Sequence, residues 1–544
     1  MLPTEPYEDV IKKLNKASGT LSLAIDRYAQ ACGELAYCFE AGGSAAQVLI
    51  NSAKRELLKL VSYDQKYYQA KIPLRRVRNQ CPELVPIHTL PFEIMSRVLC
   101  SINYCYMSKG TTDFCGSRNA STTPETYLQV CSWWRRVAMK SPQLWTHIDL
   151  TSSERCRVRV LERARLFAAQ AGWSQLGIHI SAGSDIHHLE TIGHELVDFC
   201  AALSTRIQSL ELTCSTAIGA IKYLFESLLP VAVIPGTVTR LCISTGAIPP
   251  DLLFFAPANQ RRSTEISPSR GVKLPTITQN QLEAFLRPIN RLRLDCIYPY
   301  WTSEAYSGLV ELRLTGRQRS NHGAIISDHQ LANVLQASPS LQFFHYGLEI
   351  RREKTLYTPD SVKLDKLEVL RLEKLHPDSQ ASVLLMITPG VKDLQVAIKL
   401  RDNLTSEASH HNALSHFLSR SPGVRLYLEG VGLNFEPFEL LRKSTSLDVL
   451  VLQDFILGAQ YINQPDARNY SQIRALYAIR CRFTWGGFQN LIEFHSVQKL
   501  VSYRSMVISD EICDSDTYYE EEMKYICPLV EFPDDDGHSL TDDW

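Results

Sequence analysis

The chain has 544 residues, 45% hydrophobic and 21% charged, with a formal net charge of −1. This is the composition of an ordinary globular protein able to bury a large core, and its length suggests three or four domain-sized units. No stretch approaches the ~18 uncharged apolar residues of a membrane span. The opening MLPTEPYEDVIKKL lacks a signal peptide's apolar core. The expectation is cytoplasm or nucleus, with no membrane partner. Fifteen scattered cysteines, an odd total without any C-x-x-C, read as reduced and mostly buried thiols.

Residues 1–80 read as a helical hairpin with coiled-coil character. Leu21, Ile25, Tyr28, Cys32, Leu35 and Phe39 alternate four and three apart, a heptad seam. Ala41-Gly42-Gly43-Ser44 breaks it, and Ser44 is placed to cap a second helix. That helix is expected from about residue 45 through Val48, Leu57, Leu58, Val61 and Tyr68 until Pro73. Two helices and a short turn form an antiparallel hairpin, the alternative being that the seam mediates dimerisation.

A split pattern follows. Leu90-Pro91-Phe92-Glu93-Ile94 opens it, with Thr89 as the expected cap and Pro91 at the helix start, where proline has no hydrogen bond to lose. Ile94, Val98 and Ile102 recur at i, i+4 and i+8, predicting one buried face. A second helix is expected from about residue 125 to 139, apolar almost all round through Tyr127, Leu128, Val130, Cys131, Trp133, Trp134, Val137 and Ala138. Such a helix is either deeply buried or bound to another protein. Ser141-Pro142 ends it, and Leu144, Trp145 and Ile148 form an apolar lid. A generic helical subdomain would also account for these residues. In this order, however, they resemble an F-box, over about residues 85–150. The resemblance implies a short helical module that docks a Skp-type adaptor and, through it, a cullin. The residues it assigns to the F-box fold and adaptor face are Leu90, Pro91, Ile94, Val98, Val130, Cys131, Trp134, Leu144 and Trp145. The link 104–123 is longer than usual for the family and, being rich in Gly, Ser, Thr and Asn, reads as a surface loop.

Arg155, Arg157, Arg159, Arg163 and Arg165 then cluster on a helix expected over 153–171. With only Phe167 nearby for stacking, this reads as a solvated face, and no nucleic-acid partner is expected.

From about 151 to 507 an internal repeat dominates. The spacing L-x-x-L-x-L recurs at Ile207-Leu210-Leu212, Val238-Leu241-Ile243, Ile289-Leu292-Leu294, Leu309-Leu312-Leu314, Leu341-Phe344-Tyr346, Leu367-Leu370-Leu372, Val391-Leu394-Val396 and Leu447-Leu450-Leu452, with looser copies at Leu426-Leu428, Ile473-Leu476 and Val497-Leu500. From the copy centred on Phe344 onward the steps are mostly 24 or 26 residues, with one of 32, the period of leucine-rich repeats. Two apolar residues separated by one place both side chains on one face of a short strand, and stacked units share a core that no single unit could enclose. The Asn or Cys usual three places after the last strand leucine is missing, with Ser215, Ile297 and Arg317 in its place. The polar stretch containing Arg261, Arg262 and Arg270 reads as a loop. An ordinary α/β fold with several parallel strands is the alternative. Residues between strand leucines, namely Glu211, Arg293, Arg313, Arg371 and Gln395, are the expected target-binding positions.

From Asp510 onward thirteen acidic residues stand against Lys524 alone, leaving an excess of eleven positive charges on the rest. Residues 508–544 read as an acidic, partly disordered tail. No phosphate loop, nucleophile elbow, zinc-protease motif or dinucleotide fingerprint appears. His187-His188 with His194, and His410-His411 with His416, lack zinc-ligand spacing. No catalytic residue, metal or cofactor is expected.

The fold class predicted is therefore mixed α and β: a helical hairpin and helical F-box, then an irregular leucine-rich-repeat-like α/β solenoid with a curved parallel sheet. The order of parts resembles fungal F-box proteins with degenerate leucine-rich repeats. That resemblance implies a non-catalytic substrate receptor of a Skp-cullin-F-box ubiquitin ligase. An interaction scaffold acting outside ubiquitination, and a hydrolase on an unrecognised α/β fold, are the competing readings.

Overall fold

The computed structural model describes residues 5–40, 46–81, 83–108, 124–151, 157–182, 186–214, 218–228, 236–245, 253–257, 271–316, 324–351, 361–400, 408–421, 423–434, 447–457, 472–507 and 523–532. The predicted cap at Ser44, the Arg-rich stretch near 261–270 and the end of the acidic tail lie outside them. So does the 104–123 link from 109 onward. Contacts divide the chain into two compact units, Met1–Ser96 with Glu125–Val137 and Arg97–Pro124 with Ala138–Trp544.

The first unit is helical. Helices α1 (Glu5–Glu40) and α2 (Ala46–Gln80) form the expected pair. Tyr28 meets Tyr63 edge-on, with ring centroids 6.3 Å apart, and its hydroxyl donates to Glu56 (3.3 Å). The predicted stop at Pro73 does not occur, because α2 runs through it for seven more residues. Proline removes one helical hydrogen bond. In this exposed segment the freed carbonyl is open to water, and the LRRVRNQ that follows is rich in helix formers.

The helix α3 (Phe92–Ser108) starts where Pro91 predicted, with the Met95 N–H bonding back to the Pro91 carbonyl. Thr89 is not its cap. Its hydroxyl donates to the Pro86 carbonyl (2.7 Å) and closes the preceding 3₁₀ turn, Pro86–Thr89. The single helix expected over 125–139 is two, α4 (Pro124–Val130) and α5 (Ser132–Met139). Cys131 makes the break. Its thiol accepts the Trp134 N–H (3.5 Å) as a cap would, and the Arg135 guanidinium satisfies the Leu128 carbonyl at the end of α4 (2.9 Å).

The second unit is mixed α and β, built on one large parallel sheet of fourteen consecutive strands. They are β1 (His147–Thr151), β2 (Leu176–Ala182), β3 (Ile207–Cys214), β4 (Arg240–Thr245), β5 (Arg291–Asp295), β6 (Glu311–Thr315), β7 (Phe343–Gly347), β8 (Val369–Glu373), β9 (Leu394–Lys399), β10 (Val424–Asn434), β11 (Leu447–Leu457), β12 (Ala475–Ile479), β13 (Lys499–Tyr503) and β14 (Leu529–Glu531). Helices return the chain between many of them, among them Asp328–Gln336, Pro377–Met386 and Ala408–Ser419. Among the described residues the sheet does not close into a barrel.

Register explains the repeat. One unbroken row of paired residues runs Ile148, Ile178, Leu210, Leu241, Leu292, Leu312, Phe344, Leu370, Val396, Leu426, Leu450, Leu476, Leu500, Val530. From Ile148 to Leu500 every member is buried. Each fully buried leucine contributes about 1.5–3 kcal/mol relative to exposure, so the row is a principal source of the sheet's stability. The triplet assigned to Val391-Leu394-Val396 is displaced by two residues. Val396 and Ile398 are the paired members, and Val391 is 91% exposed. The sheet also starts before residue 151, and it continues past 507 into β14, with Met523 and Cys527 buried alongside. Residues 523–532 of the acidic stretch are therefore folded.

Five of the strands leave by turns of one kind. Cys296, Lys374, Asp454, Arg480 and Arg504 all have positive φ, and each lies two residues after the second inward-facing strand position. This conformation is costly for a side-chain-bearing residue. Backbone bonds offset it: the N–H groups of Cys296, Lys374 and Arg480 donate to Thr315, Lys399 and Tyr503, the last residues of the neighbouring strands (2.8–3.0 Å). The Asn/Cys position, vacant in the earlier copies, is filled in the last ones. Cys481 Sγ donates to the Leu452 carbonyl (3.3 Å), and Ser505 Oγ donates to the Ala478 carbonyl while accepting the Cys481 N–H (both 3.0 Å).

Candidate functional site

Two surfaces stand out. The first lies on α3 to α5. The predicted buried stripe of α3 is the exposed one. Ile94, Val98 and Ile102 are 43%, 36% and 42% exposed, whereas Met95 and Leu99 are fully buried. Successive helix positions rotate by about 100°, so the two arcs adjoin and only one can face the chain's own core. The nine residues given by the F-box resemblance divide accordingly. Leu144 and Trp145 are core, with the Trp145 indole N–H on the Ala138 carbonyl (2.8 Å) and its ring edge-on to Phe167 (4.9 Å). Leu90, Cys131 and Trp134 are half-buried, and Cys131 Sγ lies 3.5 Å from His88 Nε2. Pro91, Ile94, Val98 and Val130 are exposed. Apolar side chains at i, i+4 and i+8 left in water make a stripe suited to a partner helix.

The second surface is the sheet face opposite the leucine row. Strand alternation puts the residue between the two inward positions on this face, and register aligns them as Asp149, His179, Glu211, Cys242, Arg293, Arg313, His345, Arg371, Ala397, Tyr427. Glu211, Arg293, Arg313 and Arg371 are thus brought into one row. Gln395 is not. It sits in the flanking row between Val369 and Arg425, the consequence of the two-residue displacement described above, and Ala397 holds its expected place.

Arg293 and Arg313 are directly paired on adjacent strands, and Arg240 and Arg291 are paired in the flanking row. Like charges opposite each other across a ladder oppose folding. Burial, and then the neighbouring Arg293, push the Arg313 guanidinium down to about 10, despite its ion pair with Glu311 (2.6 Å). Burial likewise lowers Arg371, whose buried Nε has no hydrogen-bond partner among the described residues. Both guanidiniums lean on the Phe343 ring, at 4.2 and 5.7 Å from its centre, a cation–π arrangement that partly compensates their lost hydration. Between them His345 bonds Glu373 (3.0 Å). Burial holds this imidazole below its ordinary range, and its bond in turn lowers the Glu373 carboxyl. Glu211, Arg240, Cys242, Arg291, Arg293 and Arg313 contribute to the lining of a cavity of about 850 Å³. A planar fork of donors on partly desolvated arginines is the group that binds carboxylates and phosphates bidentately.

At the start of the row, sequence reasoning missed a cluster. His147 Nε2 and His179 Nδ1 both reach Asp149 Oδ1, at 3.1 and 2.8 Å, and His179 Nε2 reaches Thr213 Oγ1 at 3.1 Å. Among the described residues, this is the group whose donor atoms lie close enough to hold a metal ion. The signal was the H-x-D of β1, whose two polar residues flank the Ile148 assigned to the apolar lid. The three groups also satisfy one another as a hydrogen-bonded set.

No protein-family profile matches the chain, and no curated protein matches it.

Proposed function

We propose that this protein is the substrate-recognition subunit of a Skp-cullin-F-box ubiquitin ligase, with α3 to α5 docking the adaptor and the sheet face holding the target. The observation that carries the reading is the exposed Ile94, Val98 and Ile102 stripe on α3, an apolar face beside a buried one within the segment that resembles an F-box. The arginine row gives the second half of the function a chemical character: the target presents carboxylate or phosphate groups to Arg293, Arg313 and Arg371. The protein itself contributes no reacting group, and ubiquitin transfer is accelerated by holding the target near the charged enzyme.

The test is co-purification of the tagged chain with Skp adaptor and cullin, beside the double variant Ile94→Asp, Trp134→Ala, its fold checked by circular dichroism. The expected result is that wild type retains both partners and the folded variant loses both. Retention of the adaptor without cullin would favour a scaffold outside ubiquitination, and failure of wild type to bind the adaptor would remove the reading.

A further inference from the structure

The heptad of α1 is longer than the segment from Leu21 to Phe39. The helix begins at Glu5, and Tyr7, Ile11, Leu14 and Ser18 continue the same four-three alternation, giving ten consecutive seam positions of which Ser18 and Cys32 are the only ones that are not aliphatic or aromatic. Isoleucine recurs at one seam position (Ile11, Ile25) and leucine at the other (Leu14, Leu21, Leu35), the apolar residues of a helix–helix seam. The flanks are small: Ala17, Ala24 and Ala31 on one side, Ala29 and Ala36 on the other. Charge is kept to the outer face, where Lys13 pairs with Asp9 one turn away.

This face is uncovered. Within its unit α2 leaves only Tyr28 and Leu35 of the seam half-buried, while Tyr7, Ile11, Leu14, Leu21, Ile25 and Phe39 are between 49% and 63% exposed. On α2, Leu57, Val61 and Tyr68 are also exposed. A hairpin whose two helices both leave apolar side chains open is suited to be half of a four-helix bundle.

We infer that this hairpin associates with the hairpin of a second copy of the chain, forming a homodimer through a four-helix bundle. Three observations select a second copy as the occupant. The seam repeats every 3.5 residues, a period matched by another supercoiled helix and by little else. Apart from Glu8, the seam and its flanks carry no charge, so nothing repels a symmetric, self-complementary contact. Finally, the seam is about 48 Å long and about 10 Å wide, on the order of 500 Å² per copy and 1,000 Å² for the pair, which is the size at which an interface becomes specific. The inference is independent of the adaptor reading, since it concerns α1 and α2 and not α3.

The experiment is sedimentation equilibrium of the full-length chain at micromolar concentration. Wild type should sediment at twice the 61.6 kDa chain mass. Ile11→Asp with Ile25→Asp should return it to the single-chain mass, and Lys13→Ala on the outer face should leave it dimeric. Ser18→Leu removes the polar seam residue without threatening the fold and should tighten the dimer about tenfold or more. A monomeric wild type, a dimer that survives both aspartates, or a Ser18→Leu variant that weakens or leaves unchanged the association would each overturn the inference.

Discussion

The helical hairpin and the parallel sheet are both rich in apolar residues, yet they use them in opposite ways. In the sheet, Leu292, Leu312, Leu370 and Leu450 are at most 1% exposed, each held between registered neighbours. In the hairpin, Leu57, Leu58 and Val61 are more than 60% exposed. A strand finds its partners inside the chain, because the next repeat supplies them. A lone pair of long helices cannot enclose both of its faces, so its apolar surface becomes a statement about other molecules. α3 shows both behaviours on one helix, with Met95 and Leu99 buried beside the open Ile94 and Val98.

The sharpest way to break this contrast is to remove a core group. Trp145→Ala deletes a fully buried indole and its bond to the Ala138 carbonyl, and should cost about 3–5 kcal/mol in urea denaturation; a loss below 1 kcal/mol would mean that the lid is not core. Within α3 the contrast narrows to neighbouring positions. Met95→Ala should cost about 2–5 kcal/mol and Ile94→Ala about 0.5 kcal/mol or less, and equal losses would contradict the assignment of faces. For the arginine row, Arg293→Ala should leave the melting temperature unchanged or raise it slightly, because it relieves the like charge opposite Arg313, while target binding falls. A clear drop in stability would make Arg293 structural.

The smallest effect concerns pH. His345 is held below its ordinary value by burial, so between that lowered value and about 6.5 the unfolded chain binds more protons than the folded one. Stability from this group is present above about 6.5 and is lost as pH falls through that window toward the folded value. Comparing urea midpoints above and below it, wild type should lose more than His345→Gln; identical pH dependence would remove His345 as the cause.

Much of the sheet was legible because its period is short and its inward residues are large. Errors arose where apolar identity and burial part company. Val391 resembles a strand residue but is exposed, and it drew one triplet two places off, taking Gln395 with it. Ile148 was absorbed into the lid because it follows Trp145, although register puts it in the first strand. β2 was hidden because Gln175 stands where the pattern asks for an apolar residue three places before Ile178. On α3 the sequence contains two adjacent apolar arcs, and nothing local says which one the chain keeps for itself; that choice is made by packing at a distance. The arginine row was readable as a set of positions, but its meaning depends on register, which alone puts Arg293 opposite Arg313.

The most direct test of the central claim is calorimetric titration of purified Skp adaptor into the full chain, compared with Ile94→Asp and with Val98→Asp. Saturable one-to-one binding to wild type, lost in both variants while their denaturation midpoints stay unchanged, is the result this account predicts. Binding that persists in stably folded variants, or no binding to wild type, would contradict it.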